Sequence, residues 1–169
     1  MFHWFGLVNY TPFTRVADFA QWLKDGHLVG SRCRDCGEES FPPRADCAAC
    51  MGRAFDFVAV SGRGTLHSFT TIVASPSGFH ARAPYTLGLV DLEEGGRALA
   101  AFGETVDEAS IAIGMPLQLV PFIVEDSEEM KVLYRLERPG TEWSRVGSIA
   151  AGERIAPRAD ATSPEEARR

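Results

Sequence analysis

Cys33-Arg34-Asp35-Cys36 and Cys47-Ala48-Ala49-Cys50 are two Cys-x-x-Cys hooks with ten residues between them, and they hold all four cysteines of the chain. Each hook sets a pair of thiolates on one short turn, and two such pairs are what a tetrahedral zinc ion takes. The spacing predicts a zinc ribbon over residues 30–53. In that stretch only Phe41 and Met51 are large and apolar, too few for a core. The metal therefore has to supply most of the folding free energy, about 10–16 kcal/mol in isolated zinc-finger peptides. Four thiolates close the coordination sphere, whereas a catalytic zinc keeps one position open, so the ion is expected to be structural. Arg32, Arg34, Arg44 and Arg53 lie within a few residues of the hooks and are expected to offset the thiolate charge. The competing readings are two disulfides or an iron centre. Disulfides belong to oxidising compartments, and nothing else in the chain looks secreted; the ribbon spacing without a redox-partner motif favours zinc over iron.

A chain of 169 residues, 45% of them apolar, is long enough for one ordinary domain or two small ones with a real core. The formal net charge of −6 argues against a dedicated nucleic-acid binder, because Lys and Arg neutralising phosphates supply most of such binding. The opening Met1-Phe2-His3-Trp4-Phe5-Gly6 has neither the basic segment nor the apolar run of a signal peptide. No stretch approaches the length of a membrane span. A cytoplasmic location, where thiols stay reduced and can hold zinc, is expected.

From Thr11 to Asp25 the pattern turns helical: Pro12 suits a first turn, Val16, Phe19, Ala20 and Leu23 recur at helical steps, and Gly26 ends the run. This makes residues 1–29 an N-terminal aromatic helical segment. Its Trp4, Phe5, Phe13 and Trp22 carry more aromatic surface than one helix beside a ribbon buries. Either they pack on the next domain, or Trp4, Phe13 and Trp22 anchor a partner protein, as interface aromatics do.

After the ribbon the text changes to short β-type runs punctuated by Gly, Pro and charged turns. Residues 54–60 lead in, Gly62-Arg63-Gly64 bends, and 65–73 alternates, with Leu66, Ser68, Thr70 and Ile72 on one face. Runs at 85–92 and 97–102 read as a hairpin around Glu93-Glu94-Gly95-Gly96, and runs at 117–125 and 130–136 as another around Asp126-Ser127-Glu128-Glu129. Five such strands, with the break Ile113-Gly114-Met115-Pro116 before the fourth, suit a small OB-fold barrel over 54–138, an open sandwich being the alternative. The predicted fold is thus mainly β: an N-terminal helix, a rubredoxin-like zinc ribbon, a five-stranded OB-fold barrel and an irregular tail over 139–169. The tail is rich in Ala, Arg, Glu, Gly and Pro, with Trp143, Ile149 and Ile155 isolated in it. It is either disordered or a segment that wraps a partner with Trp143 as anchor.

The chain offers little for catalysis of its own. The metal claims every cysteine, and the histidines are His3, His27, His67 and His80. His67 and Ser68 are neighbours on a strand, which sets their side chains on opposite faces. Gly62-Arg63-Gly64 lacks the spacing and the Lys-Ser/Thr of a phosphate loop. The acidic clusters fall at hairpin tips and in the tail. No catalytic residue is assigned. The segment Ala74–Pro84 is longer than a usual hairpin loop, and long loops on rigid scaffolds are often functional. It carries Phe79, His80 and Arg82 close together; the segment is either a solvated connector with Arg82 merely exposed, since no spacing enforces a binding geometry, or these three are candidates for contact with a bound substrate.

Several ordered motifs coincide: the aromatic helix, a Gly-x-Leu lead into a Cys-x-x-Cys-Gly hook, Pro42-Pro43 after Phe41, the second hook, Ser61-Gly62-Arg63-Gly64-Thr65 with Ser68-Phe69-Thr70, Ala83-Pro84-Tyr85, and Ile113-Gly114-Met115-Pro116-Leu117. Together they resemble the zinc-ribbon/OB-fold family of acyl-CoA-associated proteins, long described as a domain of unknown function, across roughly residues 10–137. The resemblance implies a small accessory subunit. Members pair with a thiolase-type catalytic subunit, or a related condensing or carbon–carbon-cleaving enzyme, acting on coenzyme A thioesters. The partner supplies the reacting Cys and His. It further implies acyl-CoA as ligand of the complex, with aromatic-compound degradation as one setting; Arg82 would then meet a coenzyme A phosphate or an acidic acyl group, Phe79 the pantetheine or acyl moiety, and His80 would donate a hydrogen bond. A stand-alone acyl-CoA-binding protein or an aldolase partner is the alternative. A nucleic-acid module, with Phe69, Phe79 and Tyr85 as stacking surfaces, is set against the acidic charge. The tail beyond Gly140 departs from the family pattern.

Overall fold

A computed structural model describes residues 14–74, 83–124 and 131–156. Trp4, Phe13, Phe79, His80 and Arg82 lie outside them. The described residues fall into two compact units, one with the chain up to Ser61, Pro121–Leu133 and the chain from Trp143, the other with Gly62–Val120 and Tyr134–Glu142.

The first unit begins with α1 (Asp18–Lys24), shorter than the helix read from the sequence. Ala17 at its N-cap has no side-chain acceptor for the free N–H groups of a first turn. Ahead of it the chain winds more tightly, the Ala17 N–H donating to Thr14 O at 3.1 Å and the Phe19 N–H to Val16 O at 3.0 Å. Val16, Phe19, Ala20 and Leu23 are buried, as their spacing predicts. Gly26, at φ 83°, ends the helix; its N–H reaches Leu23 O at 3.0 Å and the His27 N–H reaches Trp22 O at 2.9 Å. These two bonds are a Schellman cap, which a glycine adopts without strain.

Four antiparallel strands follow in the spatial order β2 (Glu39–Ser40), β1 (Val29–Cys33), β3 (Phe55–Ala59) and β9 (Arg154–Ile155). Val29 pairs with Ala59, Cys33 with Phe55 and Phe57 with Ile155. Val16, Val29, Phe57, Ala59 and Ile155 form the core of this unit, with Trp22, Phe55 and Ile149 packed on it. The C-terminal segment is thus tied to its own chain, although most of it has no regular structure. Trp143 Nε1–H donates to Gly26 O at 2.7 Å, the Val146 N–H to Asp25 O at 2.8 Å, and His27 Nε2–H to Val146 O at 2.7 Å. Any side chain at Gly26 would run into the Ser144 carbonyl.

The second sheet has the order β6 (Arg97–Ala101), β5 (Tyr85–Leu92), β4 (Arg63–Ile72), β7 (Pro116–Val124), β8 (Lys131–Glu137). A parallel bridge from Phe102 to Leu136 joins its two ends, closing the five strands into an OB-fold barrel. Leu66, Val90, Ala98, Leu117, Leu119 and Leu136 are buried in it.

Strand β4 corrects the alternation read from the sequence. Leu66 pairs with Val90 but Ser68 pairs with Leu89, so His67 is an extra, bulged residue. Beyond it Phe69 pairs with Gly88, which puts Phe69 and Thr71 on the face of Leu66, and Ser68, Thr70 and Ile72 on the other. His67 Nδ1 lies 2.8 Å from Asp91 Oδ2, on the face of Leu89 and Ser68. His67 and Ser68 therefore share a face, contrary to the expectation from simple alternation.

Candidate metal centre

The two hooks are built alike. In the first, the Gly37 N–H donates to Cys33 O at 3.0 Å and the Cys33 N–H to Glu38 O at 2.9 Å; in the second, the Met51 N–H donates to Cys47 O at 3.0 Å and the Cys47 N–H to Gly52 O at 2.9 Å. Strand β1 delivers Cys33 to the site, and β3, paired with it, starts immediately after the second hook.

The four sulfur atoms lie within 4.8 Å of one another. Cys33 Sγ is 3.6 Å from Cys50 Sγ, and Cys36 Sγ is 3.5 Å from Cys47 Sγ. Four ligands at a Zn–S distance of about 2.3 Å on a tetrahedron stand about 3.8 Å apart, so the arrangement fits one zinc ion. It does not fit disulfides, whose sulfurs are about 2.05 Å apart; all four cysteines are free.

The thiols are not equivalent. The backbone N–H groups of Cys50 and Ala49 hold the Cys47 thiol down at about 7. At Cys50 the Gly52 N–H pulls the same way, but the neighbouring Cys36 and Cys33 thiols and burial push it up to about 12. Thiols this close cannot all ionise unless a cation shares their charge.

Three of the four arginines expected to offset that charge are engaged elsewhere. Arg32 pairs with Glu39 at 2.6 Å, Arg34 with Asp56 at 2.6 Å and Arg53 with Asp46 at 3.6 Å. The Arg34 guanidinium lowers the Asp56 carboxyl from its ordinary value, with Arg154 adding to the effect from 3.2 Å. Charge compensation at the sulfurs falls instead to backbone N–H groups. They point at Cys36 from Glu38, at Cys47 from Ala49 and Cys50, and at Cys50 from Gly52. Nothing in the order of residue types marks these donors; they follow from the knuckle turn itself. Arg15, not singled out from the sequence, braces the second hook. Its guanidinium donates to Ala45 O, Arg53 O and Asp46 Oδ1 and lies over the Phe55 ring.

Of the aromatic residues read as partner anchors, Trp22 is half-buried against the core and meets the His27 ring edge-on. Trp143, also half-buried, carries the Arg145 guanidinium 3.6 Å from its ring centroid. Among the described residues no helix is long and apolar enough to cross a membrane.

A closed four-thiolate site on a ribbon, in a chain that also builds an OB-fold barrel, defines a zinc-ribbon/OB-fold protein. Family models agree: "ChsH2, rubredoxin-like zinc ribbon domain" matches residues 22–56 and "ChsH2, C-terminal OB-fold domain" matches residues 57–121. The chain is 32% identical over 111 residues to a DUF35 domain-containing scaffold protein of Methanocaldococcus jannaschii, covering 63% of this chain and 77% of that one. It belongs to the DUF35 family. It is also 38% identical over 74 residues to benzoylsuccinyl-CoA thiolase subunit BbsA of Thauera aromatica, 44% of this chain and 50% of that subunit. Among solved structures it is similar to a chain of the Ltp2-ChsH2(DUF35) aldolase, with 28% identity, a TM-score of 0.58, and coverage of 75% of this chain and 98% of that one.

Proposed function

We propose that this chain is a zinc-containing accessory subunit that binds a thiolase-superfamily catalytic subunit and supports thiolytic cleavage or condensation of an acyl-CoA substrate. The 38% identity to a named thiolase subunit carries this reading. Zinc, held by Cys33, Cys36, Cys47 and Cys50, keeps the ribbon folded and takes no part in the reaction. The chemistry of the thioester belongs to the partner's Cys and His. In this chain the cysteines are gathered at the metal site, while His27 and His67 are bonded to Val146 and Asp91. A cytoplasmic location, where thiolates stay reduced, goes with this function.

Co-expression with the thiolase-type subunit of the same genome tests it. The two chains should elute together in size-exclusion chromatography, with thiolysis of a CoA thioester by the pair and none by this chain alone. Separate elution with a fully active partner would overturn the proposal. The likeness to an aldolase complex favours one second reading, an aldolase as the partner. Retro-aldol cleavage of a CoA thioester in place of thiolysis by the copurified pair would select it.

Phe79, His80 and Arg82 are proposed to reach the thioester in the complex. Phe79→Ala and Arg82→Ala should each raise KM for the acyl-CoA while zinc content and complex size stay as they are. Unchanged kinetics in both would assign the segment to connection alone.

A further inference from the structure

Strand β4 is partnered on both sides only over its first residues. Arg63, Gly64 and Thr65 pair with β7. Leu66 bonds to the turn ahead of that strand, its N–H donating to Met115 O at 2.9 Å and its C=O accepting from the Gly114 N–H at 2.8 Å. The bulge at His67 follows, and a bulge often ends a pairing. From Ser68 to Ile72 the strand pairs, among the described residues, with β5 alone. In β5 the Leu92 N–H donates to Gly96 O and the Thr86 C=O accepts from the Phe102 N–H, both on the β6 side. By alternation Leu87 and Leu89 turn to β4, where they meet Thr70 and Ser68. The N–H and C=O groups of Phe69 and Thr71 therefore face the opposite way, with no backbone partner among the described residues.

What fits such a side is another extended backbone, which offers donors and acceptors at the same spacing. Strands that stay unpaired are guarded by brevity, charge or proline. The outer strands of the ribbon sheet, β2 and β9, are two residues long and carry Glu39 and Arg154. Ser68-Phe69-Thr70-Thr71-Ile72 has no charge, no Pro and no Gly, and Ser68, Phe69, Thr70 and Thr71 are exposed. The run also complements itself. Laid antiparallel on its own copy about a two-fold axis at Thr70, it sets Phe69 of each chain opposite Thr71 of the other, and every unpaired N–H and C=O finds a partner. Thr70 meets Thr70, and Ser68 meets Ile72. Aromatic with β-branched and Thr with Thr are favourable cross-strand pairs, and no like charges come together. A second copy brings this pattern by symmetry alone.

We propose that two copies of this chain associate by antiparallel pairing of β4 with β4, centred on Thr70, so that the barrel sheet continues across a two-fold axis. The pairing does not depend on the accessory function proposed above. Sedimentation equilibrium of the full zinc-loaded chain tests it. The wild type should approach twice the mass of one chain as concentration rises. Thr70→Lys sets two ammonium groups face to face at the axis and should hold the mass at one chain, with zinc content and melting temperature close to the wild type. Opposed residues at such a position have Cα atoms about 4.5 Å apart, within disulfide reach. The thiols introduced by Thr70→Cys should therefore join two chains under oxidised glutathione, with the link located by peptide mass mapping. A wild type that keeps the mass of one chain at every concentration would overturn the proposal. So would a Thr70→Lys protein that dimerises like the wild type, or a Thr70→Cys protein that forms no such link. Amides of Phe69 and Thr71 that exchange freely in the chain alone, and gain protection only with the catalytic subunit, would give this side to a strand of that subunit and overturn the second copy as its occupant.

Discussion

Thr105 gives both of its donors to one carboxylate: its N–H, at 2.9 Å, and its hydroxyl, at 2.5 Å, reach Glu137 Oε2, while the other oxygen of Glu137 faces Arg135 Nε at 2.5 Å. The Glu137 side chain has no exposed surface. A buried carboxylate is tolerable only when paired and hydrogen-bonded, and removing a partner from such a pair is worse than lacking the pair altogether.

Arg135→Ala should therefore destabilise the barrel by about 3–5 kcal/mol in chemical denaturation, the range for breaking a buried ion pair. Gly103→Ala should also destabilise it, because a Cβ there would overlap the Glu137 carboxylate. A loss within about 0.5 kcal/mol in both variants, the scale of ordinary surface changes, would show that Glu137 is not held as described.

The protein as purified under reducing conditions should contain one zinc per chain by elemental analysis. Cys36→Ser and Cys47→Ser should each lose the metal and unfold the ribbon, since Gly30–Arg53 has too little apolar surface to stand without it. Any fall in the activity of a complex should then track lost assembly.

Ile155 is 7% exposed in the ribbon core, and Trp143 donates to Gly26 O. Ile155→Ala should cost about 2–5 kcal/mol, the usual range for emptying a buried site, and Trp143→Phe about 1 kcal/mol for the lost hydrogen bond. Hydrogen exchange should locate both effects in β3 and the end of α1. Protection unchanged there would mean that the C-terminal segment does not stabilise the ribbon.

Burial pushes the Tyr134 phenol up to about 12. Its folded value lies above the ordinary one near 10, so the stability tied to the neutral form is complete below about pH 10 and is lost as pH rises toward 12. Absorbance titration should show a late tyrosinate step that disappears in Tyr134→Phe. Its persistence in that variant would assign the step to another tyrosine.

How much of this is legible in the sequence depends on whether the signal is local. The hooks are, because ligand identity and spacing sit in one short stretch. Strand β5 is, since Tyr85–Leu92 is bounded by Pro84 and Glu93-Glu94-Gly95-Gly96 and its burial alternates strictly. The bulge at His67 is not: beyond it both faces of β4 mix apolar and hydroxyl residues, Phe69 with Thr71 on one and Ile72 with Ser68 and Thr70 on the other, so no pattern marks the register shift. Strand β9 is two residues long in a stretch rich in Ala and Gly, and the Trp143–Gly26 bond joins positions 117 apart. Nothing short-range announces either. Arg32 and Arg34 mislead for the same reason, because their carboxylate partners Glu39 and Asp56 are brought in by strand pairing.

The place of β9 at the edge of the ribbon sheet sets an order on biosynthesis. The unit that contains the N-terminal helix and both cysteine hooks is discontinuous in the chain, and Arg154–Ile155 are its last strand. A ribosome making this protein emits both hooks long before that strand, and all of Gly62–Glu142 comes out in between. The nascent ribbon can take up its metal early, yet its sheet stays one strand short, with the edge of β3 open, until synthesis has passed the barrel entirely. An open edge is a template for wrong pairing, so this edge is exposed to other chains during translation and covered only once Arg154–Ile155 have emerged.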